Sequence, residues 1–529
     1  QVGSSNKRLK SHLERGLHMY LLSAWALLHA AVFRSPGVFA APEADVVKSL
    51  PGWSAPLFSK TYAGYIEVGS KDNATKMYEH YLFFESEKDP ANDPLIMWTN
   101  GGPGASSFLG SFSELGPYYL SDASMKTDSY KTTGIPTLFE NAYRWTKLGN
   151  LLIRNLPPPI GFSYCDPAGP AGDGFSCGPW NDTSVAKHSY DFMYNWLETF
   201  PEYKGRDLFL SGESYAGVYV PMLAREILAH GGGLAAQLKG LAVGDGCVSG
   251  LGCLPNRGPH FSIEFFHGHG QFSDKTYRAI KATCSDEELL NGVKDSSCKK
   301  LLDKMDEEIG YTFAYNLYDE CYDFALTAPR KWHEALPFGP PLASRSRRLQ
   351  TTAEGNSDWH MDGFPCGGTS VLPHWVNNAA VKKALHVAAD ANFFTGDNGV
   401  GFTYIGTEPD LTPLYKKWAE TTSLRVLIYN GDTDPGLNSF VGENWTSGLG
   451  LHEKESWRPW TRDGKNKMGG YVTRYEGDFD YLTIRGSGHM VPEYKPEAAF
   501  VFLEHFIQNR EYPRYVKPTA VNRPESVVV

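Results

Sequence analysis

The sequence predicts an α/β fold with a mostly parallel central sheet, helices on both faces and a second unit inserted between two parts of the chain. Short apolar runs recur along the chain, helical segments separate them, and this alternation lapses where cysteines gather. The apolar runs predict strands at residues 95–98, 151–153, 208–210, 238–243, 426–429 and 481–484. The segments predict helices at residues 185–199, 215–229, 376–386 and 496–508. Right-handed crossovers would place such helices on both faces of the sheet.

The length of 529 residues suits one large α/β domain with an inserted cap domain. The alternation lapses between Cys247 and Cys366, so the cap is expected there. The predicted core has two parts, residues 42–246 and 366–512. The cap is predicted at residues 247–365, and a C-terminal tail at residues 513–529. Inside the cap, the basic loop at residues 340–358 predicts an exposed linker, and a proteolytic processing site is the alternative.

Residues 1–41 are predicted to be a signal peptide. Basic residues precede the apolar run 19–33, and small residues surround a cleavage point near Ala40 or Ala41. The apolar run is short for a bilayer span, and no later stretch reaches spanning length. The alternative to a cleaved signal peptide is an uncleaved membrane anchor. The chain is therefore expected in the secretory pathway, and finally in a vacuole or lysosome or outside the cell.

Two further features fit that pathway. Sequons at Asn73, Asn181 and Asn444 each have threonine two residues on, and the chain has eight cysteines. Disulfides of the cap are expected among these residues: Cys247, Cys253, Cys284, Cys298 and Cys321. A metal cluster is the alternative, but paired C-x-x-C spacing is lacking, so neither a metal nor a cofactor is expected. The net charge of −10 gives no sign of a nucleic acid partner.

Residues 212–217 read Gly-Glu-Ser-Tyr-Ala-Gly directly after the apolar run 208–210. A sharp turn from a strand into a helix lifts a serine hydroxyl out of the sheet, toward a base and free backbone N–H groups. Ser214 is therefore the candidate nucleophile. Ala216 stands where the general G-x-S-x-G pattern has its second glycine. The alternative is an ordinary glycine-rich connection between a strand and a helix, which would have a similar sequence.

The candidate base and acid follow later strands. His489 lies in a glycine-rich loop after the strand at 481–484, and the strand at 426–429 is followed by Asp432 and Asp434. Asp434 is the preferred acid, three residues beyond the glycine that closes the strand, whereas Asp432 is expected to hydrogen-bond the turn. The chain order Ser214, Asp434, His489 is that of the α/β-hydrolase fold.

A glycine cluster at residues 101–104 follows the strand at 95–98 and predicts an oxyanion hole. Glycines let backbone N–H groups approach a developing oxyanion closely. A phosphate-binding loop is the competing interpretation, but no Gly-Lys-Ser/Thr follows and Pro103 removes a donor.

With these motifs the chain resembles the serine carboxypeptidase family, from about residue 62 to about residue 509. The matching blocks, in family order, are residues 62–65, 98–107, 112–117, 161–164, 212–217, 381–387, 431–434 and 485–492. The resemblance implies an acyl-enzyme on Ser214, formed as the C-terminal peptide bond of a peptide or protein is cleaved. It implies Ser214, Asp434 and His489 as the triad, and the N–H groups of Gly102 and Tyr215 as the oxyanion hole. It also implies that the substrate's free C-terminus binds at these residues: Trp98, Asn100, Gly101, Glu114, Glu213 and Met490.

The two glutamates of that set have a physical consequence. Ionised Glu114 and Glu213 would repel a substrate carboxylate in a buried site, so a proton must be shared between them. The resemblance therefore predicts that binding and hydrolysis are favoured at acidic pH.

Three departures from the family pattern accompany these matches. Ala105 replaces the usual cysteine, so Cys366 is expected to be unpaired or paired anew, for example with Cys165. Three prolines within residues 155–160 put the geometry of that loop in question. Asp245 stands where an asparagine is usual.

Two other functions remain open: a family acyltransferase, which passes the acyl group to an alcohol, and a non-catalytic relative. Asn100 and Glu213 are the residues typical of the peptidases of the family, which argues against the acyltransferase. The complete set of Ser214, Asp434 and His489 argues against the non-catalytic relative. The expected partners are peptides or proteins with a free C-terminus. The sequence leaves the oligomeric state open, a homodimer included.

Overall fold

The computed structural model describes residues 41–69, 76–250, 253, 258–310, 312–319, 368–394 and 401–517. Several predictions lie outside these residues: the signal peptide apart from Ala41, the sequon at Asn73, Cys321, Cys366, the loop 340–358 and most of the tail.

The strands, in chain order, are β1 (Val46–Val47), β2 (Thr61–Val68), β3 (Met77–Phe84), β4 (Leu95–Thr99), β5 (Tyr118–Tyr119), β6 (Phe139–Glu140), β7 (Asn150–Arg154), β8 (Tyr164–Cys165), β9 (Pro179–Asn181), β10 (Leu208–Glu213), β11 (Leu238–Gly244), β12 (Thr403–Ile405), β13 (Arg425–Gly431), β14 (Glu453–Thr461), β15 (Met468–Tyr475) and β16 (Phe479–Ile484). One sheet has the order β1-β2-β3-β7-β4-β10-β11-β13-β16-β15-β14, with β8 also paired to β3.

The α-helices are α1 (Asp128–Thr133), α2 (Asp182–Thr199), α3 (Ala216–His230), α4 (Gly232–Gln237), α5 (His260–Gly268), α6 (Asp274–Thr283), α7 (Asp286–Asn291), α8 (Ser296–Ile309), α9 (Gly368–Val376), α10 (Ala379–Ala384), α11 (Thr412–Thr421), α12 (Ser439–Gly448), α13 (Val491–Tyr494) and α14 (Pro496–Ile507). A π-helical turn spans Gly110–Glu114. Short 3-10 turns lie at Glu43–Asp45, Asp122–Met125, Trp145–Lys147, Phe175–Cys177 and Pro201–Tyr203.

The six predicted strands are confirmed as the parallel centre of the sheet. They lie side by side in the order β7, β4, β10, β11, β13, β16, and every neighbouring pair is parallel. Antiparallel strands extend both edges, β2 and β3 on one side and β14 and β15 on the other. Such a centre is buried on both faces, which is why these strands read as near-continuous apolar runs.

Alternate residues of the central strands pack into two different core layers. In β4, Leu95 and Met97 join the layer beneath α2 and α3, whereas Ile96 and Trp98 join the layer beneath α9 and α14. The sheet is therefore sandwiched between two helical layers, as the sequence predicts.

Helices α5 to α8 have a hydrophobic cluster of their own, which includes Phe265, Leu302 and Cys284. This cluster lies within the stretch predicted as a cap. The boundaries of the cap, residues 247 and 365, stay predictions.

Three disulfides lie in the described residues. Cys247–Cys253 and Cys284–Cys298 use cysteines that the sequence assigns to cap disulfides, with Cα–Cα distances of 4.3 and 5.1 Å. Cys165 pairs with Cys177, at a Cα–Cα distance of 5.4 Å. The suggestion of Cys165 as a partner for Cys366 is therefore wrong, because a cysteine twelve residues away already holds that thiol.

The predicted helix at 376–386 is also wrong in its bounds. Helix α9 ends at Val376 and α10 begins at Ala379, because the Asn378 side chain accepts a hydrogen bond from the Ala380 N–H and caps a new helix. None of the helices in the described ranges is both long and apolar enough to cross a bilayer.

Candidate active site

Four adjacent parallel strands bring the candidate residues to one edge of the sheet. Ser214 follows β10, Asp245 follows β11, Asp434 follows β13, and His489 lies in the loop after β16. The carboxyl ends of parallel strands all meet at this edge, so residues far apart in sequence become neighbours.

The turn at Ser214 is strained and tightly enclosed. Ser214 has φ of +63°, which is rare for a residue with a side chain, and its N–H donates to the Gly244 carbonyl at 3.0 Å. A Cβ at Gly212 would collide with the Thr99 carbonyl oxygen and with the Ala216 side chain. The small residues of the motif are therefore required by the sharp turn that the sequence predicts.

His489 and Asp434 are joined by a hydrogen bond of 2.7 Å between Nδ1 and Oδ2. Asp434 is fully buried, and its other oxygen accepts from the Gly436 N–H at 2.8 Å. The His489 N–H donates to the Tyr315 carbonyl at 2.7 Å, and the two rings pack 5.0 Å apart. With Nδ1 carrying the proton toward Asp434, Nε2 is left with a lone pair that can accept one.

Within the described residues, no hydrogen bond joins the Ser214 hydroxyl to His489. Hydrogen bonds of this kind commonly tighten only when substrate is bound. Asp432 has the turn-forming role that the sequence predicts, because its carboxylate accepts from the Gly486 N–H at 2.6 Å and ties the loop that carries His489.

The glycine cluster lies directly against the turn at Ser214. A Cβ at Gly101 would collide with the Tyr215 backbone nitrogen and would lie 2.9 Å from the Ser214 Cβ. Gly102 and Gly104 have φ of +112° and +99°, conformations that favour glycine. The backbone of this cluster therefore approaches the Ser214 turn as closely as an oxyanion hole requires.

The proline-rich segment that departs from the family pattern is buried and well anchored. Asn155 accepts from Ser106 at 2.6 Å through its side chain and from Ser163 at 2.7 Å through its carbonyl. The Trp180 indole donates to the Pro158 carbonyl at 2.7 Å. The segment thus anchors Ser106, which lies two residues beyond the glycine cluster.

Asn100 organises the predicted carboxylate-binding residues. Its amide nitrogen donates to Glu114 Oε1 at 3.1 Å and to Glu213 Oε1 at 2.9 Å. Its amide oxygen accepts from the Trp98 indole at 2.8 Å and from the Gly110 N–H at 3.1 Å. Since every donor and acceptor of the amide is used, Asn100 is fixed in orientation and draws the two carboxyl groups together.

The two glutamates retain unused hydrogen-bonding capacity. Glu114 and Glu213 are each 4% exposed, and the Oε2 atom of each has no hydrogen-bond partner among the described residues. Burial raises the pKa of Glu114 to about 7. The pKa of Glu213 is raised well above its usual range by burial and then by the charge of Glu114. The pair therefore retains a proton in the acid range and can donate it.

Two buried carboxyl groups at the site have no place in the sequence-based assignment. Glu493 lies four residues after His489, and its pKa is raised by burial and then by the charges of Glu114 and Asp319. Asp182 accepts from the Tyr215 hydroxyl at 2.7 Å and the Tyr404 hydroxyl at 2.6 Å. A charged residue in the apolar run after His489 is a signal for Glu493, whereas nothing local in sequence distinguishes Asp182.

The remaining predicted residues are less constrained. Met490 is half-buried beside His489. At the sequons, Asn181 caps α2 by accepting from the Ser184 N–H, and Asn444 is exposed on α12. Glycosylation at both stays a prediction.

Comparison with known proteins identifies the family of this chain. The sequence model of the serine carboxypeptidase family matches residues 51–509. Serine carboxypeptidase 1 of Hordeum vulgare is 30% identical, over 88% of this chain and 93% of that protein. The lysosomal protective protein of Mus musculus is 30% identical, over 94% of this chain and 98% of that protein.

A solved structure shares the fold. It is Kex1ΔP, a prohormone-processing carboxypeptidase from Saccharomyces cerevisiae, with a TM-score of 0.59 and 21% identity, covering 85% of this chain and 91% of that chain. The family match spans most of the chain, and its fold is of the α/β-hydrolase type. This chain belongs to the serine carboxypeptidase family, a family of hydrolases that act on peptides.

Proposed function

We propose that this chain releases C-terminal residues from peptides and proteins, as a serine carboxypeptidase active at acidic pH. The observation that carries this proposal is the buried pair of Glu114 and Glu213, which Asn100 holds beside the Ser214 turn. A general esterase has no need of two glutamates there, because a carboxylate near the nucleophile would oppose a developing oxyanion.

In the proposed mechanism the Ser214 hydroxyl attacks the carbonyl of the last peptide bond. His489 takes the hydroxyl proton through Nε2, and Asp434 stabilises the resulting imidazolium. The N–H groups of Gly102 and Tyr215 receive the oxyanion. The imidazolium then protonates the leaving amine, and the C-terminal amino acid departs. Water, deprotonated by His489, releases the acyl group and restores Ser214.

The glutamate pair would supply the specificity for a free C-terminus. A substrate carboxylate is ionised above about pH 4, because an α-carboxyl has a pKa of about 3.5. It needs hydrogen-bond donors, and both amide hydrogens of Asn100 are already used. The unpaired Oε2 atoms of Glu114 and Glu213 can donate only while they are protonated.

The pH dependence follows from the direction of these shifts. Below the raised pKa of Glu114, which is about 7, the pair holds its proton and binds an anion. As pH rises through that value the proton is lost and like charges face the substrate. We expect KM for a free-carboxylate peptide to be low between about pH 4 and 6 and to rise above pH 7.

The Glu213→Gln variant tests this account. Glutamine keeps a donor but does not titrate, so KM for an N-blocked dipeptide should vary less with pH than in the wild type, with kcat less affected. The same dipeptide as its C-terminal amide is the control, since its binding should hardly respond to pH. A wild-type KM that stays constant from pH 4 to 8 for the free dipeptide would remove the main support for this proposal. Acyl transfer to an added alcohol, in preference to water, would then favour the acyltransferase.

We also propose that the protein enters the secretory pathway and works in a vacuole or lysosome or outside the cell. The three disulfides of the described residues support an oxidising compartment. One relative is named a lysosomal protective protein, which fits an acidic compartment. The signal peptide and the sequons at Asn73, Asn181 and Asn444 stay predictions on which this route depends.

A further inference from the structure

Asp245 is a second buried aspartate at the candidate triad. It is fully buried, and its N–H donates to the Tyr429 carbonyl at 2.8 Å. It adopts φ of +40°, which holds its side chain at the carboxyl end of β11. Oxygen atoms of Asp245 and Asp434 and a ring nitrogen of His489 lie within 4.8 Å of one another. The mechanism above assigns no role to Asp245.

Both oxygens of Asp245 accept hydrogen bonds at the end of β13. Oδ1 accepts from the Gly431 N–H at 3.0 Å and from the Asn430 amide at 3.3 Å, and Oδ2 accepts from the same Gly431 N–H at 3.2 Å. An oxygen of Asp245 lies within 4.8 Å of an oxygen of Asp434, which itself accepts from His489 and Gly436. Two buried carboxyl groups this close repel each other when both are ionised, so a proton on one of them is favoured and can be donated to the other.

The surroundings indicate which aspartate carries that proton. Asp434 faces the His489 ring, so a negative charge on it has a partner. A ring nitrogen of His489 also lies within 4.8 Å of Asp245, but His489 hydrogen-bonds Asp434 through Nδ1. The other titratable groups that interact electrostatically with Asp245 are Glu213 at the end of β10, Tyr429 on β13 and Tyr481 on β16. These are an acid and two phenols, and none of them offers a positive charge. Burial and the charge of Asp434 raise the pKa of Asp245 well above its usual range.

We propose that Asp245 is a positioning residue for the triad, protonated in the working enzyme and donating its hydrogen bond to Asp434. The donated bond fixes the Asp434 carboxylate, which in turn orients His489. This inference rests on the proposed triad chemistry, but it does not depend on the recognition of a free C-terminus. A carboxylic acid has the hydrogen-bonding pattern of a primary amide, one accepting oxygen and one donor. The asparagine that is usual in the family at this position would therefore make the same contacts.

The Asp245→Asn variant tests whether Asp245 is neutral. The readout is kcat/KM against pH for an ester substrate blocked at its C-terminus, which excludes the titration of Glu114 and Glu213 from substrate binding. If Asp245 carries a proton, the substitution leaves the charge unchanged, and the acid limb set by His489 stays at the same pH. If Asp245 were ionised, removing its charge would move the acid limb down by about 1 to 3 pH units. That displacement would overturn the proposal.

A stability measurement tests the same proton without catalysis. Above about pH 5 an unfolded aspartate is ionised. A proton held by Asp245 in the folded state makes the wild type lose stability with rising pH relative to Asp245→Asn. The ratio of the unfolding constants of wild type and variant should rise about tenfold per pH unit until Asp245 ionises. Denaturant unfolding with intact disulfides measures this ratio, and a ratio independent of pH would contradict the proposal.

The Asp245→Ala variant separates neutrality from the hydrogen bond. It is neutral like the asparagine variant but cannot donate to Asp434, so kcat/KM for the ester should fall by about tenfold or more relative to Asp245→Asn. Equal activity of the two variants would show that the hydrogen bond has no positioning role. Should the alanine variant fail to fold, the acid limb of Asp245→Asn still decides the protonation state.

Discussion

The Ser214→Ala variant is expected to lose hydrolysis by about a millionfold in kcat while its thermal unfolding stays close to that of the wild type. The hydroxyl supplies the nucleophile, and Ser214 is only half-buried in the turn between β10 and α3. Alanine also adopts the same strained backbone at no greater cost than serine. Steady-state kinetics of the purified variant, with circular dichroism melting for the fold, measure both halves of this prediction.

The matched control is the pair of His489→Ala and the double variant. Because Ser214 and His489 act as one unit, either single substitution should cost nearly as much as both together. Losses that multiply in the double variant would contradict a shared step, and Ser214→Ala turnover comparable to the wild type would refute the assignment of the nucleophile.

The Glu79→Ala variant is expected to have the largest effect on stability. Glu79 lies on β3 with no exposed surface, and it accepts two hydrogen bonds from Arg154, at 2.8 and 2.9 Å, and one contact from His188 at 2.8 Å. Removing the carboxylate leaves the buried Arg154 guanidinium with the Phe192 ring, 4.2 Å away, but without the carboxylate that neutralises its charge. Such a loss costs about 3 to 5 kcal/mol in the free energy of unfolding, which denaturant titration measures.

The Glu87→Ala variant is its control. Glu87 also pairs with an arginine, Arg144, at 2.6 Å, but Arg144 keeps a second carboxylate, Glu140, at 2.7 Å. The loss should therefore be clearly smaller than for Glu79→Ala. Equal losses for the two variants would show that the buried charge on Arg154 is not what makes Glu79 important.

The centre of the sheet could be predicted from the sequence because its strands are apolar along their whole length. The flanking antiparallel strands could not. β3 contains Glu79 and His80, and β14 begins with the charged residues 453–455. Charged residues argue against a buried strand until their partners are known, and the partner of Glu79 is 75 residues away.

In the candidate site, too, residues with a local sequence signal could be predicted, whereas residues defined by distant partners could not. Ser214, Asp434 and His489 are recognisable because each lies in a turn with its own local chemistry, and the strand order brings the turns together. Asp182 was missed because what it binds is distant in sequence, Tyr215 being 33 and Tyr404 222 residues away. The proton on Asp245 is likewise a property of burial against Asp434, which spacing does not reveal.

The most direct test of the central claim is the order in which residues leave a peptide. A peptide of about ten residues, blocked at its N-terminus, is incubated with the enzyme at about pH 5 and followed by mass spectrometry. A serine carboxypeptidase should remove one residue at a time from the free C-terminus, leave the C-terminally amidated peptide largely intact, and slow as pH rises above 7. Internal cleavage, or equal hydrolysis of the free and amidated peptides, would contradict the account.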